Sequence, residues 1–204
     1  MIYKFKLNDS IYNKLKNWSK DKSEFYGTRL AGNMENEFNL INYAKELEPH
    51  LVDIINDIEP LKKYFTGLDI LYPNGLPLVL KSLWVNYQKK YEFNPLHNHG
   101  GLFSFIIFIK IPYTMAEQSA ASPGRKSNFN VAGKLSFVYL DSDVNGSINT
   151  KEYDVDKTWE GFGLIFKSNL NHCVYPFYTD GERITISGNL QFNTKPITQN
   201  DKTK

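Results

Sequence analysis

The sequence predicts a mainly β protein, a sandwich or barrel of short strands with helices in its N-terminal part. After about residue 78 the chain breaks into seven short apolar or alternating segments separated by turn residues, a pattern typical of all-β folds. Helical segments do not alternate with these strands, so the βαβ units of a parallel sheet are not expected. Before residue 70, apolar residues instead recur every three or four positions, as they do in amphipathic helices.

The first helix is expected over about residues 10–19. Its apolar face is formed by Ile11, Leu15 and Trp18. Asp9 and Ser10 stand before this face, and both residue types cap helix N-termini well.

A second helical stretch runs from Leu51 to Phe65, with apolar residues at mixed spacings of three and four. Pro60 is expected to kink or divide it, because proline cannot donate the helical hydrogen bond. His50 lies beside Pro49 with no metal-binding side chain near it in sequence. It is therefore interpreted as a surface or capping histidine.

The strands are expected at seven places, with boundaries good to a few residues. They are 79–89, 96–111, 134–141, 150–155, 162–167, 172–177 and 183–193. The stretch 114–133 is rich in Ala, Ser, Asn and Gly, and it is predicted to be a long loop, either a lid or an idle surface loop. The chain then divides into a helical segment, 1–77, packed on a β core, 78–193, with a flexible tail, 194–204.

Length and composition exclude several classes of protein. A chain of 204 residues, 41% hydrophobic and 23% charged, is long enough for one globular domain with its own core. No apolar run approaches the roughly 20 residues of a membrane-spanning helix. The start lacks a signal-peptide pattern and the single cysteine, Cys173, cannot form an internal disulfide, so a cytoplasmic location is expected. A net charge of +2 does not favour a nucleic-acid partner.

The candidate site residues come from two scarce types, since the chain has only four histidines and three arginines. His97 and His99 form an His-x-His pattern at the entry to the apolar run 103–111. On a strand, side chains two residues apart share a face, which suits two ligands of one metal ion. The pattern is common, and two solvated histidines at a strand end are the other interpretation.

A second segment supplies another histidine and an arginine. His172 precedes a turn at 179–182, and Arg183 follows that turn. A two-stranded hairpin of this length could return Arg183 to the neighbourhood of His172. After the turn, polar residues alternate with aliphatic ones. One face of the strand therefore points towards a cavity or towards solvent, and it carries Arg183, Thr185, Ser187 and Asn189. A guanidinium binds a carboxylate bidentately, so a small dicarboxylate could lie between the histidine and the arginine.

Together these pieces resemble the iron(II)- and 2-oxoglutarate-dependent oxygenases. The sequence is most similar to a prolyl-hydroxylase-like branch found in marine bacteriophages, whose motifs are Trp-Val-Asn-Tyr, Phe-Asn-Pro-x-His-Asn-His, Ser-Phe and Val-Tyr-Pro-Phe. Here these motifs occupy 84–87, 93–99, 104–105 and 174–177. The resemblance covers about residues 78–193. It implies the double-stranded β-helix, a cupin-like jelly roll, and, for a phage-encoded protein, the cytoplasm of the host cell.

The resemblance also implies a set of metal ligands. His97 would be the first iron ligand and His172 the distal one, completing a facial triad with the residue two after His97. That residue is Asp or Glu in most of the superfamily, and here it is His99. Either His99 binds iron directly, or it lies outside the coordination shell and water or a carboxylate from elsewhere takes its place.

The remaining implied roles concern the cosubstrate. Arg183 would pair with the C5 carboxylate of 2-oxoglutarate, with Thr185 assisting, and Asn86 is a weaker candidate for a cosubstrate contact, as is Tyr87 on the opposite face of its strand. The resemblance implies Fe(II), 2-oxoglutarate and O2, and hydroxylation of a peptide, a prolyl residue or a small molecule with release of succinate and carbon dioxide. Two alternatives use the same residues: a cupin-like metal-binding protein without oxygenase turnover, and a three-His dioxygenase that does not use 2-oxoglutarate.

The segment from Asp141 to Glu152 matches the calcium-loop pattern D-x-[DN]-x-[DN]-G-x5-E in full. Strand-like sequence flanks it, whereas a calcium hand has flanking helices. Asn145-Gly146 is also a strong β-hairpin signal. A hairpin turn without bound calcium is therefore expected.

Overall fold

A computed structural model describes residues 2–58, 78–140 and 146–193 of the chain. Within these ranges the strands are β1 Ile2–Lys6, β2 Glu37–Asn39, β3 Leu78–Lys89, β4 Asn94–His97, β5 Phe103–Lys110, β6 Leu135–Leu140, β7 Ile148–Tyr153, β8 Phe162–Lys167, β9 Asn171–Val174 and β10 Glu182–Phe192. The α-helices are α1 Asp9–Trp18, α2 Ala44–Asp57 and α3 Met115–Ala121. Single 3-10 turns occur at Gly27–Arg29, Ile41–Tyr43 and Lys157–Trp159.

The strands form two antiparallel sheets that face each other. The larger sheet has the order β1-β8-β5-β10-β3-β2 and the smaller one the order β4-β9-β6-β7. Phe108 and Phe166 of the larger sheet share a buried apolar cluster with Phe137 and Val174 of the smaller sheet. The fold is the double-stranded β-helix that the family resemblance implies.

The outer face of the larger sheet is covered by α1 and α2. The apolar stripes of both helices share one buried cluster with Leu83 and Val85 of β3 and Ile186 of β10. Because side chains alternate along a strand, the residues between these aliphatic ones point to the other face, into the space between the sheets. The alternation predicted for β10 thus separates a helix-covered core from a polar inner face.

The N-terminal helices differ in detail from the prediction. α1 spans nearly the predicted residues, but its N-cap is Asn8, whose side-chain oxygen accepts from the Ile11 backbone N–H at 2.9 Å, and not Asp9 or Ser10. α2 begins at Ala44, well before the predicted start, and Pro49 lies inside it. The predicted kink at Pro60 falls outside the described residues.

Two strand predictions change. The predicted strand 96–111 is two strands, because the chain leaves the smaller sheet after β4 and enters the larger sheet at β5. Gly101, with φ +114, lies in the connection. β1 and β2 were not predicted; each is an edge strand of the larger sheet, paired with β8 and β3 respectively.

The stretch 114–133 was predicted to be a long loop. It differs from that prediction because α3 occupies its first part. Thr114 and Glu117 form a capping box at the start of α3. The buried Gln118 side chain donates to Thr179 Oγ1 at 2.6 Å and accepts from the Tyr178 backbone N–H at 2.8 Å. α3 is thereby fastened to the segment that leads into β10.

The calcium-like segment, 141–152, begins directly after β6 and ends within β7. β6 and β7 pair with Leu140 opposite Ile148, so its flanks are strands, as predicted. Residues 141–145 of the pattern and the predicted tail 194–204 lie outside the described residues. No helix in the described ranges is both long enough and apolar enough to cross a membrane.

Candidate active site

Three of the four histidines meet between the two sheets. His97, the last residue of β4, is paired in register with His172 of β9, and their ring centroids are 4.3 Å apart. The His99 ring lies 4.9 Å from that of His97 and 5.1 Å from that of His172. One potential ligand atom from each histidine lies within 4.8 Å of the other two.

His99 reaches this cluster from outside the strand. The predicted strand 96–111 contains both His97 and His99, but β4 ends at His97. The backbone N–H of His99 donates to the Ser168 carbonyl at 2.8 Å, and this bond fixes the turn that brings its ring back to the other two.

Backbone carbonyls select the tautomer of two of the histidines. Nδ1 of His97 lies 2.7 Å from the Pro95 carbonyl oxygen, and Nδ1 of His172 lies 2.9 Å from that of Leu170. A carbonyl oxygen only accepts, so Nδ1 carries the hydrogen in both rings. Each Nε2 therefore keeps a free lone pair, as a metal ligand requires.

The three rings are neutral near pH 7. Burial lowers the pKa of His97, despite the opposing effect of the Pro95 carbonyl. Burial and then the neighbouring His172 and His97 lower the pKa of His99 to about 3. Burial likewise lowers the pKa of His172 to about 4. Neutral imidazoles bind a metal without first losing a proton.

Aromatic rings surround the histidines. Phe166 meets the His172 ring edge-on at 4.9 Å, Phe137 lies 5.7 Å from it, and Trp84 lies 5.7 Å from His99. These apolar neighbours account for the burial that depresses the pKa values of the histidines.

A polar row on the larger sheet faces the histidines across one cavity. Arg183, Thr185 and Ser187 of β10 stand opposite Gln88, Asn86 and Trp84 of β3. All six line the cavity together with the three histidines. None of the described residues that line it is acidic. The predicted site residues His97, His99, His172, Arg183, Thr185 and Asn86 thus share one cavity.

Arg183 is a buried cation, 2% exposed. Its Nε donates to Gln88 Oε1 at 3.0 Å, and one terminal nitrogen donates to the Tyr113 hydroxyl at 2.7 Å and the Gly133 carbonyl at 2.9 Å. The other terminal nitrogen also donates to Gln88. Its partners are all uncharged, and no carboxylate of residues 2–58, 78–140 or 146–193 forms an ion pair with it. A buried charge without a counter-ion is costly, so this end of the cavity favours an anion.

Asn86 and Tyr87 point to opposite faces of β3. Asn86 is 5% exposed, and its Nδ2 donates to Thr185 Oγ1 at 3.1 Å. The Tyr87 hydroxyl donates to the Ser19 carbonyl on the helix-covered face. Tyr87 is therefore not in the cavity, and the expectation that it contacts the cosubstrate is wrong.

Two further expectations are corrected. β9 and β10 do not form a hairpin, because β9 pairs with β4 and β6 in the smaller sheet, whereas β10 pairs with β3 and β5 in the larger one. His172 and Arg183 line one cavity because the two sheets face each other. Asn189 does not line the cavity; its amide bonds to Ser104 and Ser82 instead.

Three residues of the site were missed in the sequence. Gln88 follows Asn86 at the strand period of two, so the alternation of β3 could have identified it. Tyr113 precedes the stretch 114–133 and Gly133 is its last residue, and no local pattern connects them with Arg183. His50 lies in α2 and is not part of the histidine group.

The donor set fits a divalent transition metal such as iron(II). Imidazole nitrogen is a suitable ligand for iron, and three ligands leave coordination positions for a cosubstrate. Within the described part of the chain no carboxylate joins the three-histidine group, so of the residues there only His99 is available as the third ligand.

Comparison with known proteins places the chain among characterised folds. A sequence profile for the family described as "Putative 2OG-Fe(II) oxygenase" matches residues 82–189, more than half of the chain. No curated protein matches the sequence significantly.

Solved structures resemble the chain over nearly its whole length. The non-heme α-ketoglutarate-dependent epimerase SnoN from nogalamycin biosynthesis has a TM-score of 0.55 at 12% identity, covering 93% of this chain and 76% of that one. A 2OG-Fe(II) oxygenase family oxidoreductase from Burkholderia pseudomallei has a TM-score of 0.51 at 10% identity, covering 93% and 84%. A Trichoplax adhaerens prolyl hydroxylase in complex with a peptide fragment of the hypoxia-inducible factor oxygen degradation domain has a TM-score of 0.50 at 10% identity, covering 94% and 82%. At such low identity these likenesses establish the fold alone.

Proposed function

Since the chain belongs to the 2OG-Fe(II) oxygenase family, we propose that His97, His99 and His172 hold its Fe(II) and that Arg183 binds its 2-oxoglutarate. The observation that carries this assignment is a single cavity with two different ends. One end has three neutral imidazoles, and the other has a buried guanidinium without a carboxylate partner among the described residues. A metal-chelating dicarboxylate would complement both ends.

The protein contributes ligation, orientation and the exclusion of water. When bound, Fe(II) and 2-oxoglutarate supply the oxidative chemistry, in which a substrate C–H bond, O2 and 2-oxoglutarate give C–OH, succinate and carbon dioxide. The Pro95 and Leu170 carbonyls orient the rings of His97 and His172. The aromatic rings beside the histidines keep bulk water from the reacting atoms.

Three side chains assist Arg183 in this proposal. Thr185 Oγ1 accepts from Asn86, which leaves its hydroxyl hydrogen free to donate to a carboxylate. Asn86 is thus a positioning residue that acts through Thr185. Tyr113 accepts from Arg183, so its hydroxyl lies beside the same binding position.

We propose a peptide or a small molecule as the substrate that is hydroxylated. The Trichoplax prolyl hydroxylase of similar fold was solved with a peptide bound, which supports a peptide. Net charge +2 does not favour a nucleic acid. The family match favours oxygenase turnover over a purely structural metal site and over a three-His dioxygenase without 2-oxoglutarate.

The proposal is tested with protein loaded anaerobically with Fe(II). Addition of 2-oxoglutarate should produce a weak visible charge-transfer band, and admission of air should produce succinate. His172→Ala should lose the band and succinate formation, whereas His50→Ala, which alters a histidine outside the site, should keep both. Wild-type protein that binds Fe(II) but gives neither band nor succinate would contradict the proposal.

A further inference from the structure

Two buried acceptor atoms beside the cavity have no hydrogen-bond partner. They are Glu37 Oε2 and Asn86 Oδ1, and no other buried side-chain polar atom of the described residues is unsatisfied. Glu37 is 1% exposed. Buried polar groups are nearly always paired, and an unpaired one costs about 1–3 kcal/mol or more. Two such atoms at one place indicate a missing donor.

The two residues belong to one row of side chains. β3 lies between β10 and β2, with Asn86 opposite both Thr185 and Glu37. Directly opposite residues of an antiparallel pair share a face, with Cβ atoms about 5 Å apart. The row Thr185, Asn86, Glu37 therefore runs along the inner face, from the cosubstrate end of the cavity to the edge strand.

Glu37 adjoins the cavity wall. Two glycines, Gly27 and Gly32, lie next to its carboxyl group. A Cβ at Gly32 would lie 2.6 Å from Glu37 Oε1 and 2.9 Å from Asn94 Oδ1, and one at Gly27 would lie 3.3 Å from Glu37 Oε2. Asn94 lines the cavity. The two glycines therefore leave space around the Glu37 carboxyl group.

The carboxyl group at this end of the row is only partly ionised near pH 7. Burial and then the nearby Glu92 raise the pKa of Glu37 to about 7. A cation would relieve both the desolvation of Glu37 and its repulsion from Glu92. Without a cation, a proton on Glu37 or a half-turn of the Asn86 amide would supply one donor. The ionised carboxylate has about four acceptor positions, so it would still need further donors.

We propose that Glu37 and Asn86 bind a protonated amine of the primary substrate, so that the enzyme selects substrates with an ammonium group near the oxidised carbon. This inference rests on the proposed function, because it names the substrate class of the cavity whose wall Glu37 adjoins. Glu37 itself is not a lining residue, so the amine would reach it past Asn86 and Asn94, which line the cavity. Arg183 takes the anionic cosubstrate, and Glu37 takes the cationic end of the substrate. The opposite charges keep the two ligands from exchanging places.

The experiment compares two probes that differ in the amine. Protein is loaded anaerobically with Fe(II) and 2-oxoglutarate. Calorimetry then measures the binding of Nα-acetyl-lysine methylamide, whose side-chain amine is free, and of Nα-acetyl-norleucine methylamide, which has no amine. We expect the lysine probe to bind about tenfold more tightly or better, as one charge-assisted hydrogen bond would provide. Glu37→Gln should reduce this preference to about twofold or less, whereas Glu35→Gln, an exposed glutamate two residues away, should retain it.

Several outcomes would overturn the inference. They are equal binding of the two probes, no binding of the lysine probe at millimolar concentration, and an undiminished preference in Glu37→Gln. If Glu37→Gln does not fold, Glu37→Asp, which shortens the carboxylate arm, must lower the preference instead. The visible band is recorded first, so failure of 2-oxoglutarate binding refutes the proposed function, and failure of the probes alone refutes only this inference.

Discussion

Replacing Arg183 by alanine removes the only cation that lines the described part of the cavity. The guanidinium is 2% exposed, and all its hydrogen-bond partners are uncharged. A carboxylate bound beside it would be its only anionic partner, because none of the described residues supplies one. Truncating one member of a buried hydrogen-bonded charge pair costs about 2–5 kcal/mol. At about 1.4 kcal/mol per tenfold, the Kd for 2-oxoglutarate should rise by roughly 30-fold or more.

Arg183→Lys separates charge from geometry. Lysine keeps a cation but loses the planar fork, so its Kd should fall between those of the wild type and Arg183→Ala. Arg125→Ala, which removes an exposed arginine, is the matched control and should bind 2-oxoglutarate as the wild type does.

The assay is anaerobic calorimetry of 2-oxoglutarate binding to Fe(II)-loaded protein, with far-UV circular dichroism to confirm folding. Fe(II) affinity should be nearly unchanged in Arg183→Ala, because the guanidinium bonds to no histidine. Folded Arg183→Ala that binds 2-oxoglutarate as tightly as the wild type would refute the assignment of Arg183.

Three further predictions concern the metal, pH and packing. His99→Ala should weaken Fe(II) binding by about 100-fold or more, since loss of even an outer-shell partner costs 10- to 100-fold, and His50→Ala should not; equal affinities in a competitive chelator titration would place His99 outside the coordination shell. In metal-free protein the pKa values of His99 and His172 lie at about 3 and about 4, below the ordinary 6.5, so the folded state binds fewer protons than the unfolded state. Their contribution to stability is therefore complete above about pH 6.5 and is lost as the pH falls towards 4 for His172 and towards 3 for His99. Urea unfolding of His99→Ala should show a shallower loss, and an equal slope would contradict this. Gly188→Ala would place a Cβ 2.5 Å from a backbone oxygen and should cost about 1–3 kcal/mol, lowering the Tm by several degrees in a thermal melt; Gly100→Ala, whose Cβ would meet no atom within 4 Å, should change it much less.

Local patterns predicted much of the fold because they reflect local physics. The four-residue spacing of Ile11 and Leu15 placed α1 to within a residue, and the alternation after Arg183 separated the inner from the outer face of β10. The edge strand β2 could not be found this way, because three residues are too few to show a pattern. In β1 the signal was present but overlooked, since Tyr3 and Phe5 alternate with Lys4 and Lys6. The helix in 114–133 was hidden by a composition typical of loops.

The sequence by itself determined the residue types of the site: scarce histidines and one arginine in a polar, strand-period row. Family resemblance supplied their order and the departure at His99. Only the tertiary structure decided that His99 turns back to His97 and His172, although β4 ends before it. It also brought Tyr113 and Gly133 within hydrogen-bond distance of Arg183. In the same way it paired Glu37 with Asn86. These contacts join residues far apart in the chain, and they exist only because two sheets face each other and an edge strand is paired at a fixed register.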